Sequence, residues 1–553
     1  MTVGIYYVPE AYSTDAPKLM GRNAAGESFL KGFLKYSRKN DDLWIQVERE
    51  EHARDFEKKV ASNGRKENVR AFTNASLGNA KTPGVVYFPG PGIGQHATMR
   101  RFYGDSAWSL CGITHTTSSA TAMDAISDLL TAPVQPWDAV ICTSNAVKKN
   151  VEQLLESKAD YLLERLGATK IVMPNLPVVP LGIHAEEFSF PPAKRQTARI
   201  ELGATDDSLV VLYTGRLSFH AKAHPLAMYQ ALELASKQTN KSIILLECGW
   251  HANDYIKNAF AEAASITCPS VRVINLDGRV ATERANAWAS ADVFCSLSDN
   301  IQETFGIVPL EAMAAGLPVI VSDWDGYKDT VRDGVDGYRI PTIGPKPGLG
   351  GDLAQNHALG IDTYDMYCGY SSSLIAMHSQ KLTQAFINLF TSAELRQAMG
   401  AAGKERARLN YDWRVIIPRY EDLWQSLSEL RIRAKSEGLK ESRVWPARLD
   451  PTISFSHYPT TVLGLDTLLT MTHPTVSEAI GKINQYKNLS MIAFASLIFP
   501  TQEEIQNMLE VAALSGGDPV KAESLIAVIT EPRRAFALRG LAWLTKLGIF
   551  HFS

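Results

Sequence analysis

Short, unbroken apolar runs alternate with longer stretches of helical periodicity through about the first 430 residues of the chain. Val3–Tyr7, Leu43–Val47, Gly84–Phe88, Ala139–Thr143 and Val178–Leu181 form one series of predicted strands. Leu209–Tyr213, Ile243–Cys248, Val271–Asn275, Val293–Ser296 and Pro318–Val321 form a second. Runs with no polar alternate face suit strands covered on both sides in a parallel sheet. The amphipathic stretches between them supply crossover helices, so the predicted class is α/β. Phe188–Thr197 (FSFPPAKRQT) separates the two series and, with its two prolines, reads as a linker. Beyond Tyr411 an aromatic-rich segment takes up helical periodicity from Pro418, and a charged, proline-bearing stretch runs from Lys435 to Pro451. The remainder reads as compact and helical, with a capping box at Thr501 and Glu504 and a stop at Gly516–Gly517. The expected division is 1–190, 191–410, a helix over 411–430 packing back on the first domain, a linker over 431–452, and a helical extension over 453–553.

A chain of 553 residues is too long for one core, in keeping with that division. A net charge of -3 gives no bulk attraction to nucleic acid or anionic lipid. Cys111, Cys142, Cys248, Cys268, Cys295 and Cys368 include no CxxC pair and read as buried thiols of a reducing compartment. The start MTVGIYYVPEAY lacks a signal-peptide pattern, and Met491–Phe499 is about half the roughly 20 residues of a membrane span. The expected location is cytoplasmic. The amphipathic stretch Glu27–Arg38 leaves room for peripheral membrane contact, although a first crossover helix is the plainer reading.

Candidate chemistry concentrates in ETFGIVPLEAMAAGLPVIVSD, from Glu303 to Asp323. A helix is expected over about Phe305–Ala315, with the amides of Phe305, Gly306 and Ile307 at its positive end, where a phosphate binds readily. Gly306 would let the anion approach, and Glu311 would sit about two turns inside the helix. Each glutamate can accept from adjacent sugar hydroxyls, or serve as a capping charge (Glu303) or a solvated helix residue (Glu311). In LVVLYTGRLSFHAKAHP a strand is expected to end at Gly215, with Arg216 and Lys222 in the loop, where a ligand lies in an α/β sheet.

Together GRLSFHAK, ADVFCSLSDN, ETFGIVPLE and GLPVIVSDWDG resemble retaining glycosyltransferases of family 4. ICTSNAV (Ile141–Val147) and VVPLGIHAEEF (Val178–Phe188) are similar to that family's domain-closing and linker segments. The resemblance covers roughly residues 1–430, in the family's order and spacing. It implies a GT-B fold: two facing Rossmann-like domains with a nucleotide-sugar donor between them. On matching positions Arg216 and Lys222 would neutralise the donor diphosphate, Glu311 would bind the ribose and Glu303 the transferred sugar. Thr304 and the amides of Phe305, Gly306 and Ile307 would meet the sugar or distal phosphate, and the backbone near Arg279 and Val280 the base. Gly21 and Gly26 of MGRNAAGESFLKGF, in a loop opening a helix, would close over the phosphates, although the family's paired-glycine form is absent. His115 of CGITHTTSS matches a histidine that reaches the donor sugar.

The implied reaction retains anomeric configuration, with the departing phosphate helping to deprotonate the acceptor. Asp323 and Asp325 form a DxD, but two carboxylates in a glycine-rich loop make a poor metal cage, and no metal or other cofactor is expected. The acceptor (a sugar, lipid or small molecule) is not specified. Gly344–Gly351, with the residues to Tyr370, reads as an insertion whose glycines and prolines suit a lid. EPRRAFALRGLAWLTKLGIF gives the extension a winged-helix-like rhythm. Arg533, Arg534, Arg539 and Lys546 read as a solvated face and not a nucleic-acid surface, and self-association is a natural role for the extension. Two other readings remain: a GT-B phosphorylase-like enzyme, and a non-catalytic sensor or scaffold that binds the nucleotide sugar.

Overall fold

A computed structural model of the chain describes residues 2–14, 21–39, 42–439, 441 and 443–553. Met20 of the glycine-bearing segment, and Lys440 and Ser442 of the expected linker, lie outside the described residues. The chain divides into two compact units, Met1–Trp445 and Pro446–Ser553.

The first unit contains two six-stranded parallel sheets. The first comprises β1 (Gly4–Tyr6), β2 (Asp42–Gln46), β3 (Asn68–Phe72), β4 (Val85–Tyr87), β5 (Ser109–Ile113) and β6 (Ala139–Ile141) in the order β3-β2-β1-β4-β5-β6. The second comprises β7 (Leu209–Leu217), β8 (Ile243–His251), β9 (Arg272–Asp277), β10 (Val293–Ser296), β11 (Val319–Ser322) and β12 (Gly337–Ile340) in the order β12-β11-β10-β7-β8-β9. Numbered from its own first strand, each sheet has the doubly wound order 3-2-1-4-5-6, which makes the fold GT-B with two Rossmann-like halves. Central strands are wholly covered: Val210, Val211 and Leu212 of β7 show no exposed surface, and neither do Val293, Phe294 and Cys295 of β10.

Three strands lack the expected signature. β3 (NVRAF) and β12 (GYRI) are edge strands with polar positions, and β5 (SLCGI) carries a glycine. Val178–Leu181 does not form a strand: Pro177 and Pro180 remove donors, and only a bridge from Cys142 to Val178 survives. Phe188–Thr197 is only partly a linker. A short turn spans Ala185–Phe188, and Pro192 then opens the helix Pro192–Glu201. That helix is tied to the second domain, since Arg195 donates to the Ala291 carbonyl at 2.6 Å and Arg199 to Asp292 at 2.9 Å.

The helix Trp413–Ser436 starts before Pro418 and contains it, with Asp412 as its cap. It packs on the helix Gly21–Tyr36. The Trp413 ring fills the space a Cβ would take at Gly32 and Gly182, and its indole donates to Ser28 Oγ at 2.8 Å. All six cysteines are buried free thiols. Among the described residues no helix is long and apolar enough to cross a membrane.

In the second unit, helices Val476–Tyr486, Gln502–Leu514 and Arg534–Lys546 close on a core of Leu469, Met508, Leu541 and Phe550. Strand Leu468–Met471 pairs antiparallel with Val520–Lys521 and Phe550–Phe552. The Thr501–Glu504 capping box forms, with bonds of 2.8 and 3.1 Å. Glu504 also takes a bidentate bond from Arg533 (2.7 and 2.8 Å), which in turn lies over Phe536.

Candidate active site

In each sheet the strand order reverses between the first and fourth strands, β1/β4 and β7/β10, and ligands bind beyond the carboxyl ends at such a point. In the second domain those ends carry the predicted residues. β7 runs on past Gly215 and pairs Arg216 with Trp250 of β8, so Arg216 ends a strand and is not part of the loop. This extension requires close strands: a Cβ on Gly249 would collide with the Gly215 carbonyl. Arg216 Nη2 donates to the Ala221 carbonyl (3.1 Å) and to Gln302 Oε1 (3.0 Å), which leaves its Nε and Nη1 hydrogens for a phosphate.

Glu303 follows β10 and meets Lys222 at 2.9 Å through Oε2. Its Oε1 accepts from the Gly306 amide at 3.1 Å. Burial opposes its ionisation, but the Lys222 charge and the amides of Thr304 and Phe305 outweigh it, holding the carboxyl below its ordinary value. The helix N-terminus is therefore partly satisfied by Glu303 itself, contrary to the expectation of free amides. The helix is also shorter than expected, Ile307–Ala314, so Glu311 lies one turn inside it. Gly306 stands before it at φ 81°, and a Cβ there would enter the Tyr327 ring, so backbone conformation and packing account for this glycine.

The first domain meets this segment directly. Thr304 Oγ1 donates to the His115 carbonyl (3.2 Å), and the Thr304 carbonyl accepts from Thr143 Oγ1 (3.3 Å). Burial, with the charge of Arg22, pushes the His115 imidazole down to about 4, so it is neutral at pH 7. Beside it the domain-closing segment binds across: Ser144 Oγ donates to Asp325 (3.3 Å), and the Asn145 amide to Asp329 (2.7 Å). The two aspartates of the DxD have separate surroundings, Asp323 near Arg339 at 3.6 Å and Asp325 at Ser144. Asp325 adopts φ 42°, and burial together with Glu303 pushes its carboxyl up to about 8. Between the two aspartates, the Trp324 indole donates to the Asn300 carbonyl at 3.1 Å and steadies the loop before Glu303.

A cleft of about 470 Å³ is lined by Glu27, Lys31, His184, Glu187, Ile307 and Glu311, within the usual range of about 300–1,000 Å³ for small-ligand sites. Burial pushes Glu311 up to about 7, against the pull of Arg284. Gly21 and Gly26 are not in a loop. Gly21 is the first described residue of its helix, and Gly26 lies inside it, pressed on the Ala11 carbonyl where a Cβ would not fit. Arg279 is exposed and bidentate to Asp277, and Val280 caps the next helix. Gln302, Asn300 and Trp324, in loops, and Asp329, in the short helix Tyr327–Thr330, escaped the sequence reading because none acts through a spaced motif.

Residues 194–343 match the family described as Glycosyl transferases group 1. The chain is 27% identical over 265 residues to a D-inositol 3-phosphate glycosyltransferase of Nocardia farcinica, covering 46% of this chain and 57% of that protein. It is 32% identical over 146 residues to a phosphatidyl-myo-inositol mannosyltransferase of Mycobacterium leprae, covering 26% of this chain and 29% of that one. The chain thus spans about half the length of the first of these relatives and less of the second. In fold it is similar to Anabaena Alr3699/HepE, solved in complex with UDP, with a TM-score of 0.50 and 17% identity over 77% of this chain and 100% of that one. Residues 194–343, set in a GT-B framework, thus carry a domain that matches the glycosyl transferases of group 1.

Proposed function

We propose that the protein is a retaining, metal-independent glycosyltransferase that moves a sugar from a nucleotide-diphosphate sugar to a hydroxyl acceptor. One observation supports this above others: Arg216 and the Lys222–Glu303 pair converge at the carboxyl ends of β7 and β10, with His115 of the facing domain beside them. Breaking the anomeric bond builds negative charge on the departing diphosphate. Arg216 offers it a planar fork and Lys222 a point charge, and preorganised charges of this kind are usually the largest catalytic contribution. Glu303, kept ionised beside Lys222, accepts from hydroxyls of the transferred sugar, and neutral His115 completes that contact. The departing phosphate takes the acceptor proton, so no protein base is required. Two cations balance the diphosphate without a metal. The names of the two relatives favour an inositol-based acceptor, free or lipid-linked, the latter bringing peripheral membrane contact.

The test is thermal unfolding with UDP-, GDP- and ADP-sugars, followed by transfer to inositol phosphates in EDTA. Donor at 100 times its dissociation constant stabilises by about 2.7 kcal/mol. A shift with one donor and transfer in EDTA is the expected result. No shift with any donor would overturn the reading, and binding without transfer or donor hydrolysis would turn it to a sensor.

Glu311 gives a pH signature. Its folded-state value of about 7 lies above the ordinary carboxylate value, so the folded chain holds the proton longer than the unfolded chain. Stability is therefore full below the ordinary value and falls as pH rises through about 7. Ribose binding runs the other way, because the carboxylate is the better acceptor. The donor KM is expected to rise as pH falls through about 7, and Glu311→Gln should flatten that profile, which kinetics across pH will show.

A further inference from the structure

The residues that follow β12, expected from the sequence to be an insertion, have a built structure. A two-stranded ribbon, Thr342–Ile343 with Ala376–Met377, closes it at the base. Between them stand helices Gly351–Ala358 and Tyr364–Ser372. Gly369 of the second helix lies against His220, where a Cβ would come to 2.9 Å. Cys368 beside it is fully buried, and His357 stacks on Tyr367 at 4.4 Å. The first residue of that helix points inward. Tyr364 Oη lies 2.8 Å from Ser118 Oγ of the first domain and 3.5 Å from Thr116 Oγ1. It also accepts from Gln302 Nε2 at 3.1 Å, and the same amide's oxygen receives Arg216 at 3.0 Å. Accepting from Gln302 leaves both the phenol hydrogen and a lone pair for Ser118, and either hydroxyl can donate in that bond. One side chain thus joins the insertion, the segment after His115 and, through one amide, the guanidinium at the end of β7.

We propose that Tyr364 is a positioning residue for Arg216, fixing the guanidinium through Gln302 when the Thr116–Ser118 segment of the facing domain is in place. This rests on the reading of Arg216 as the diphosphate-binding cation. An amide held at both ends keeps its oxygen aimed at Arg216, and the guanidinium loses less freedom when the diphosphate arrives. The insertion then links closure of the first domain to readiness of the diphosphate site.

The experiment measures binding of UDP, GDP and ADP, and of the matching monophosphates, to the full chain by calorimetry. The variants are Tyr364→Phe, Gln302→Leu and their double. Tyr364→Phe removes one oxygen and keeps the ring, so the fold is preserved, which the unfolding midpoint checks. For the diphosphate that binds, each single variant is expected to lose about fivefold in affinity. The double should lose no more than either single, because both break one relay. Monophosphate affinity should stay level, which a purely structural role for Tyr364 would not produce. Unchanged diphosphate affinity in Tyr364→Phe, multiplied losses in the double, or equal losses for both ligand classes would overturn the proposal. Arg216→Ala separates the two possible failures. If it abolishes diphosphate binding while Tyr364→Phe changes nothing, the donor reading stands and this proposal falls. If Arg216→Ala binds diphosphate as the parent does, both fall.

Discussion

Replacing Arg216 by alanine is expected to lower kcat/KM for the donor by about two to three orders of magnitude, the usual effect of removing a preorganised group at a developing charge. The structural loss is much smaller. Arg216 is half-buried at the end of a paired strand and gives two bonds, to Ala221 and Gln302. At about 0.5–1.5 kcal/mol each, their removal leaves the first unit folded. Arg216→Lys should recover only part of the activity, because the ammonium carries the charge without the fork that matches a phosphate. Steady-state kinetics with unfolding controls decides it, and an Arg216→Ala variant with the parent's kcat/KM would remove this residue from the site. Lys222 is the weaker place to intervene, since its loss also strips Glu303 of a partner at 2.9 Å and mixes two effects.

The parts of this chain legible in the sequence are those where a single local pattern decides the structure. β7, β8 and β10 read as apolar runs because they lie inside their sheet and are covered on both faces. β3 and β12 sit at edges, where Asn68 and Arg70 or Arg339 are tolerated, and the apolar signal fades. The Thr501–Glu504 box was legible because two residues three positions apart carry both halves of it. Phe188–Thr197 misled for the converse reason. Its prolines signal a break, but Pro192 opens a helix whose arginines answer to Asp292, distant in sequence.

The site divides the same way. Arg216, Lys222, Glu303 and Glu311 follow from spacing, because strand ends and a helix start place them. What each touches does not follow, because it depends on chain brought in from elsewhere. Gly306 was expected to admit an anion, yet the Tyr327 ring occupies the space beside it. Gly26 was expected to cover phosphates, yet it lies against the Ala11 carbonyl. Tyr364 lies 62 residues beyond Gln302 in a segment without apolar periodicity, and nothing local connects the two. Partner identity at a site is long-range information, while candidate identity is short-range.

The largest effect on stability is expected far from the cations, at Asp138. Its carboxylate and the Arg100 guanidinium are both fully buried, bonded at 2.6 and 2.8 Å. Other bonds add to it: Asp138 accepts from the Leu110 amide at 2.8 Å and the Gln135 amide at 2.8 Å, and Arg100 donates to the Trp108 carbonyl at 2.7 Å, while Arg100 Nε is left without a partner. The pair thereby joins the helix Gly94–Arg100 after β4, the strand β5 and the start of β6. Asp138→Ala leaves a buried guanidinium without its carboxylate and two amides without acceptors, a loss of about 3–5 kcal/mol. Against a typical total of about 5–15 kcal/mol, that is enough to bring the first unit near its threshold. The loss should appear as a lowered unfolding midpoint of the unit Met1–Trp445, which holds the pair. A shift below about 1 kcal/mol, the scale of an exposed pair, would mean that water reaches Arg100 and the pair is not closed. Where the variant remains folded it should still bind donor, because the proposed diphosphate and ribose contacts lie in the second domain. Arg216→Ala should do the opposite, keeping the fold and losing the donor, and the two variants together separate what holds the protein up from what it does.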